Sequence, residues 1–160
     1  IDEHVIAMRD EFLIPRDDER FRVVHADGAH FLEAGDEPFD VLLVDAFDAD
    51  GVALSLVDER FHRAAARRLA EGGVIVTNLW GKTERYSALL KQAARIYGSN
   101  ATLVPVSGEF NLLLFASRRP PPKSITDDLE AIANWLQRRL DLDFPRYLRV
   151  ICQGHTLVET

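Results

Sequence analysis

Three carboxylates fall within six residues at the end of one apolar run: Asp45, Asp48 and Asp50, in the stretch Phe39 to Gly51 (FDVLLVDAFDADG). Carboxylates at neutral pH only accept hydrogen bonds, so such a cluster attracts a cation or takes up a proton. The run before it, Val41 to Val44, is continuous rather than alternating, which predicts a strand buried on both faces of a parallel sheet. In open α/β sheets ligands bind outside the carboxyl ends of the strands. Asp45 is therefore expected at the strand tip, with Asp48 and Asp50 on the loop beyond it. An Asp in this place also serves as a turn-former or as the cap of the next helix, and spacing alone does not separate the two roles.

Other residues capable of chemistry form weaker patterns. His25 and His30 straddle a glycine turn, while His4, His62 and His155 are scattered. None makes a His-x-x-x-His pair or a carboxylate-rich ligand set, so no metal site is expected. Trp80, after Asn78, stands at a second strand tip, where it stacks on a ligand or plugs the sheet edge. Arg60, Arg63, Arg67 and Arg68 have the spacing of a solvated helix face rather than of an anion site. The single Cys152 excludes an internal disulfide, which fits a reducing, cytoplasmic compartment.

The elements that must position these residues read as one α/β domain over residues 1–160, with 123–160 as a helical extension. At 160 residues, 47% of them hydrophobic, the chain can bury a real core. Its net charge of −7 argues against a nucleic-acid surface, which calls for a basic face. No apolar stretch approaches the length needed to span a membrane. Val5, Met8 and Phe12 predict a helix from the first residues, ended by Pro15. Phe21 to His25 reads as a short strand, followed by Ala26-Asp27-Gly28 and the apolar pair Phe31-Leu32. After Gly51, the spacing of Leu56, Phe61, Ala64, Ala65 and Leu69 gives a helix core face, with Gly72-Gly73 as its stop. Val74 to Thr77 is the next buried strand. Thr83 can cap a helix whose Tyr86, Leu89, Leu90 and Ala93 face inward until Gly98. Thr102 to Val106 and Asn111 to Ala116 predict an antiparallel pair turning at Ser107-Gly108, at the edge of a mostly parallel sheet. Beyond Pro120-Pro121-Pro122, Ser124 caps a helix expected to bury Leu129, Ile132, Leu136 and Leu140, and the tail from Phe144 reads as a short helix. Strands alternating with helices predict a doubly wound sheet.

The order of these motifs resembles the catalytic domain of the spermidine synthase family, the polyamine aminopropyltransferases, from Ile1 to about Ser117. The matching pieces are Ile1-Asp2-Glu3-His4-Val5-Ile6, Ala26-Asp27-Gly28 with Phe31-Leu32, Phe39 to Asp45 with Asp48, and Phe61 followed by Leu69 and Gly72-Gly73-Val74. The resemblance implies a Rossmann-like fold of the class I methyltransferase type, incomplete at its N-terminus. It implies a transferase that moves the aminopropyl group of decarboxylated S-adenosylmethionine to a diamine such as putrescine, with no metal and no prosthetic group. Asp45 matches the family's general base, and Asp48, with Asp50 beside it, the acid holding the cationic amine. Asp27 and Gly28 match the adenine end of the co-substrate site, Ile1 an apolar residue against the adenine ring, and Ala46 a further co-substrate contact. A dicationic acceptor and a sulfonium donor suit a carboxylate-lined site.

Four features depart from the family pattern. The glycine-rich loop, the ribose-binding acid and the small N-terminal β domain of the family would all lie upstream of Ile1. No proline follows the second acid in Asp48-Ala49-Asp50-Gly51, and Val104 to Gly108 lacks the tyrosine of the diamine pocket. The chain is therefore expected to be a fragment of a longer protein or a shortened product. Two other readings stay open: a non-catalytic domain used for assembly or sensing, and an S-adenosylmethionine-dependent methyltransferase. The amine acceptor and the oligomeric state, a homodimer among the options, are not fixed by these residues.

Overall fold

A computed structural model of the chain describes residues 2–80, 83–106, 111–120 and 128–157. Along these residues the elements are α1 (Glu3–Ala7), α2 (Gly28–Ala34), β1 (Phe39–Val44), β2 (Phe47–Asp48), β3 (Gly51–Val52), α3 (Glu59–Arg68), β4 (Leu69–Leu79), α4 (Thr83–Tyr97), β5 (Ala101–Pro105), β6 (Leu112–Ser117), α5 (Leu129–Leu140), α6 (Phe144–Cys152) and β7 (His155–Thr156). The main sheet has the order β1-β4-β6-β5-β7, and β2 and β3 form a separate hairpin. Strand β4 runs parallel to β1, β6 antiparallel to β4, and β5 and β7 alternate again. Thus β1, β4 and β5 share one direction and β6 and β7 oppose it. The expected α/β class with its antiparallel pair is what the chain forms.

Strand alternation sorts the side chains onto two unlike faces. Leu42, Ile75, Ala116 and Ala101 lie across from one another, as do Val44, Thr77, Leu114 and Leu103. This face meets Leu32 of α2, Phe61, Ala64 and Ala65 of α3, and Leu89, Ala93 and Tyr97 of α4 in one continuous core. The opposite face carries Leu43, Val76 and Phe115, and α6 packs over its β5 end. At the β1 end Val41 and Leu43 are 56% and 72% exposed. The expectation that β1 is buried on both faces is corrected: among the described residues it is an outer strand covered on one face only.

Several other expectations are corrected. The first helix stops at Ala7 and a single 3-10 turn follows, with Val5, Met8 and Phe12 all exposed. There the Arg9 guanidinium turns back onto Asp17 and the Pro15 carbonyl, closing a local knot instead of laying an apolar face on the sheet. Phe21 to His25 forms no strand. The Asp18 carboxylate accepts from the backbone N–H of Arg20 and Phe21, and Asp17 from that of Val23, so side chains satisfy donors that a sheet would otherwise take. Gly72-Gly73 does not end a helix. Helix α3 stops at Arg68, and both glycines lie inside β4, where a Cβ on Gly73 would come within 2.7 Å of the Phe39 carbonyl of β1.

Arg68 is no solvated residue but 5% exposed. Helix α5 buries only Ala133, leaving Ile132 and Leu140 exposed, because it packs on α6 rather than on the sheet. Helix α4 ends as expected at Gly98, whose φ of +56° suits a residue without a Cβ. Ser107-Gly108 and Ser124 lie outside the described residues.

Candidate functional site

The parallel pairing of β1 with β4 sets Val44 beside Thr77, so the next residues, Asp45 and Asn78, emerge side by side at the carboxyl ends of the two strands. Strand β6 runs the other way and pairs Leu113 with Asn78, which brings its amino end, preceded by Asn111, to the same edge. Two-residue alternation puts Asn111, Leu113 and Asn78 on the face that also carries Val76 and Leu43. There a cleft of about 280 Å³ is lined by Leu43, Asp45, Val76, Asn78, Asn111 and Leu113, among others. The Asn78 Nδ2 donates to Asp45 Oδ1 at 3.1 Å, and the Asn111 Nδ2 donates to Asn78 Oδ1 at 3.2 Å. Asp45 is exposed and caps no helix, so its carboxylate is available to a ligand in the cleft.

Beyond Asp45 the chain turns through the β2–β3 hairpin, pairing Phe47 with Val52 and Asp48 with Gly51. The hairpin is pinned by the Ala53 N–H donating to the Ala46 carbonyl and the Val52 N–H to the Trp80 carbonyl. Phe47 also meets Trp80 edge-on, with ring centroids 6.2 Å apart. Trp80 is half-exposed against this hairpin. At the tip, Asp48 Oδ1 accepts the Asp50 N–H at 2.8 Å, an Asx turn. Asp48 and Asp50 are both exposed; they adjoin the cleft through the hairpin but are not among its lining residues.

Of the other expected site residues, Asp27, Gly28 and Ala46 are not among those lining this cleft. Asp27 caps α2, its Oδ1 accepting from the His30 N–H at 2.9 Å, and Gly28 opens that helix with free space where a Cβ would stand. Ala46 is exposed next to Asp45. Ile1 lies outside the described residues. Among the described residues no three His, Cys, Asp or Glu side chains gather as metal ligands, and no helix is long and apolar enough to cross a membrane.

A larger cleft of about 370 Å³ lies between β5, β6 and α6 and shares Val106 and Leu113 with the first. Among the described residues its one charged lining side chain is Arg146, the wrong sign for a cationic ligand, so the Asp45 cleft is the better candidate. Asn78 and Asn111 are the residues that sequence reasoning missed. The available signal was an amide at the end of one apolar strand and another at the start of a strand running back.

Comparison with known proteins adds the following. Residues 1–106 match the spermine/spermidine synthase domain. The polyamine aminopropyltransferase of Neisseria meningitidis (serogroup A, strain Z2491) is 31% identical over 149 residues, covering 92% of this chain and 57% of that protein. That of Chromobacterium violaceum is 28% identical over 165 residues, covering 99% of this chain and 63% of its own length. The chain thus spans about three-fifths of the length of these relatives. Among solved structures, human methyltransferase-like protein 13 in complex with SAH superposes with a TM-score of 0.72 at 22% identity, covering 89% of this chain and 69% of that one. This last likeness is one of fold, and it bears out the methyltransferase-type α/β architecture.

Proposed function

Because the chain belongs to the spermine/spermidine synthase family, matched over 106 of its 160 residues, we propose that the protein transfers an aminopropyl group from decarboxylated S-adenosylmethionine to a diamine or related amine. The observation that carries this reading is Asp45: an exposed carboxylate at the carboxyl end of β1, lining a cleft and bound by one amide. An ammonium cannot act as a nucleophile until it loses a proton, and Asp45 accepts that proton. The amine lone pair then attacks the methylene carbon on the sulfonium sulfur. The C–N bond forms as the C–S bond breaks, and the electron pair stays on sulfur in methylthioadenosine. Such a displacement needs chiefly alignment of the two reactants and one proton acceptor.

Asp48 and Asp50, on the neighbouring hairpin, would hold the acceptor's second ammonium. Asp27 spends Oδ1 on its helix cap, and its Oδ2 would serve adenine together with Gly28, Ile1 and Ala46. The experiment is Asp45→Asn in the protein as the organism makes it. Turnover should fall by roughly a hundredfold or more, while calorimetric affinity for methylthioadenosine stays unchanged. Full turnover in this variant would refute Asp45 as the base.

A further inference from the structure

The Asp45 carboxylate stands at the end of a chain of two side-chain amides, Asn111 to Asn78 to Asp45, contributed by β4 and by the residue that leads into β6. Hydrogen-bond chemistry fixes the sense of this chain. A carboxylate only accepts, so the Asn78 atom facing Asp45 must be its NH2, which leaves the Asn78 carbonyl to face Asn111. There it meets the Asn111 NH2 at 3.2 Å. Asn111 is itself anchored, its backbone carbonyl accepting the Val106 N–H at 3.1 Å. Both asparagines are only partly exposed.

We propose that Asn78 and Asn111 are positioning residues for the proton-accepting carboxylate. Asn111 locks the Asn78 amide in the one orientation that donates to Asp45 Oδ1, and this aims Oδ2 into the cleft. The inference rests on the reading of Asp45 as base given above. It adds two residues, 33 positions apart in the chain, that act through the Asp45 carboxylate. Were Asn111 to present an acceptor, the Asn78 amide would turn over and set its carbonyl oxygen against the carboxylate. A near-isosteric change at 111 should then do more harm than truncation there.

Four variants of the full-length protein test this: Asn78→Ala, Asn111→Ala, Asn111→Asp and the double variant Asn78→Ala/Asn111→Ala. Asn78→Ala should lower kcat about tenfold, the scale of one hydrogen bond to a charged group, with methylthioadenosine affinity and melting temperature little changed. Asn111→Ala should lower kcat less, and Asn111→Asp more than Asn111→Ala. The double variant should match Asn78→Ala, because Asn111 acts only through Asn78. The proposal is overturned if Asn111→Asp is milder than Asn111→Ala, or if the two alanine effects simply multiply. Failure of the underlying reading looks different: Asp45→Asn would then keep full turnover, whatever the asparagine variants do.

Discussion

His62 is 1% exposed, and neither ring nitrogen has a hydrogen-bond partner among the described residues. Its ring lies edge-on to Phe61 and to Tyr97, with centroids 5.4 and 6.4 Å away. Burial in this setting pushes its pKa down from 6.5 to about 4, and the nearby Leu56 backbone offsets only part of that. The native protein therefore keeps His62 neutral where the unfolded chain protonates it. The resulting stability is fully present above pH 6.5, is lost as pH falls from 6.5 towards 4, and changes no further below that. Its full size is about 3 kcal/mol. His62→Leu should thus leave stability near pH 7 within roughly 1 kcal/mol, since no made hydrogen bond is removed. The same variant should be less sensitive to acid than the parent across this window. Urea denaturation at pH 7, 5.5 and 4.5 checks this, and parallel pH dependences in the two proteins would sink it.

At the scale of elements, α3 shows how position outweighs residue type. Arg68 falls three, four and seven residues after Ala65, Ala64 and Phe61, on the helix's core face, whereas Arg60, Arg63 and Arg67 fall elsewhere. It donates to the Glu37 carbonyl at 2.6 Å and to those of Phe31 and Leu32 at 3.3 Å, the latter two in the last turn of α2. Its guanidinium also lies 4.7 Å from the Phe39 ring centroid and 5.7 Å from that of Phe31. A buried cation at a helix C-terminus, held by orphan carbonyls and aromatic faces, clasps α2, α3 and the start of β1 together. Arg68→Met should cost about 2–4 kcal/mol, through carbonyls left without a donor, read as a lower urea midpoint. Gly35→Ala should weaken the same clasp, because its Cβ would collide with the Arg68 guanidinium. A stability unchanged in Arg68→Met would show that the clasp is idle. The Arg68 signal was legible in the sequence, but only by counting helical positions rather than grouping four arginines by charge. The strand ending in Asp45 was equally legible, since an apolar run stopped by acids has few other structures. The amides were not, because Asn78 and Asn111 meet Asp45 only through a sheet order that places β6 beside β4. Nor does a run such as Val41 to Val44 reveal how many of its faces are covered, as periodicity reports what a strand prefers and not what packs on it.

For the whole molecule the governing quantity is charge. The net charge of −7 combines with Asp45, Asp48 and Asp50, all exposed at or beside one end of the sheet, so a cationic acceptor is attracted both by the overall field and by its local concentration there. A neutral nucleoside such as methylthioadenosine has no such attraction. The cationic acceptor and this neutral product of the proposed reaction should therefore respond differently to salt. Raising ionic strength from about 0.01 to 0.15 M shortens the screening length from about 30 to about 8 Å. Over that range kcat/KM for the diamine should fall several-fold, mostly through KM, with kcat and methylthioadenosine affinity nearly constant. Asp48→Asn/Asp50→Asn should raise KM at low salt and flatten the salt dependence, since two of the charges sensed by the acceptor are gone, while Asp45, the proposed proton acceptor, remains to support kcat. A salt dependence equally steep in that variant would assign steering to the rest of the acidic surface, and no salt dependence in either protein would exclude charge as the means by which the acceptor is drawn in.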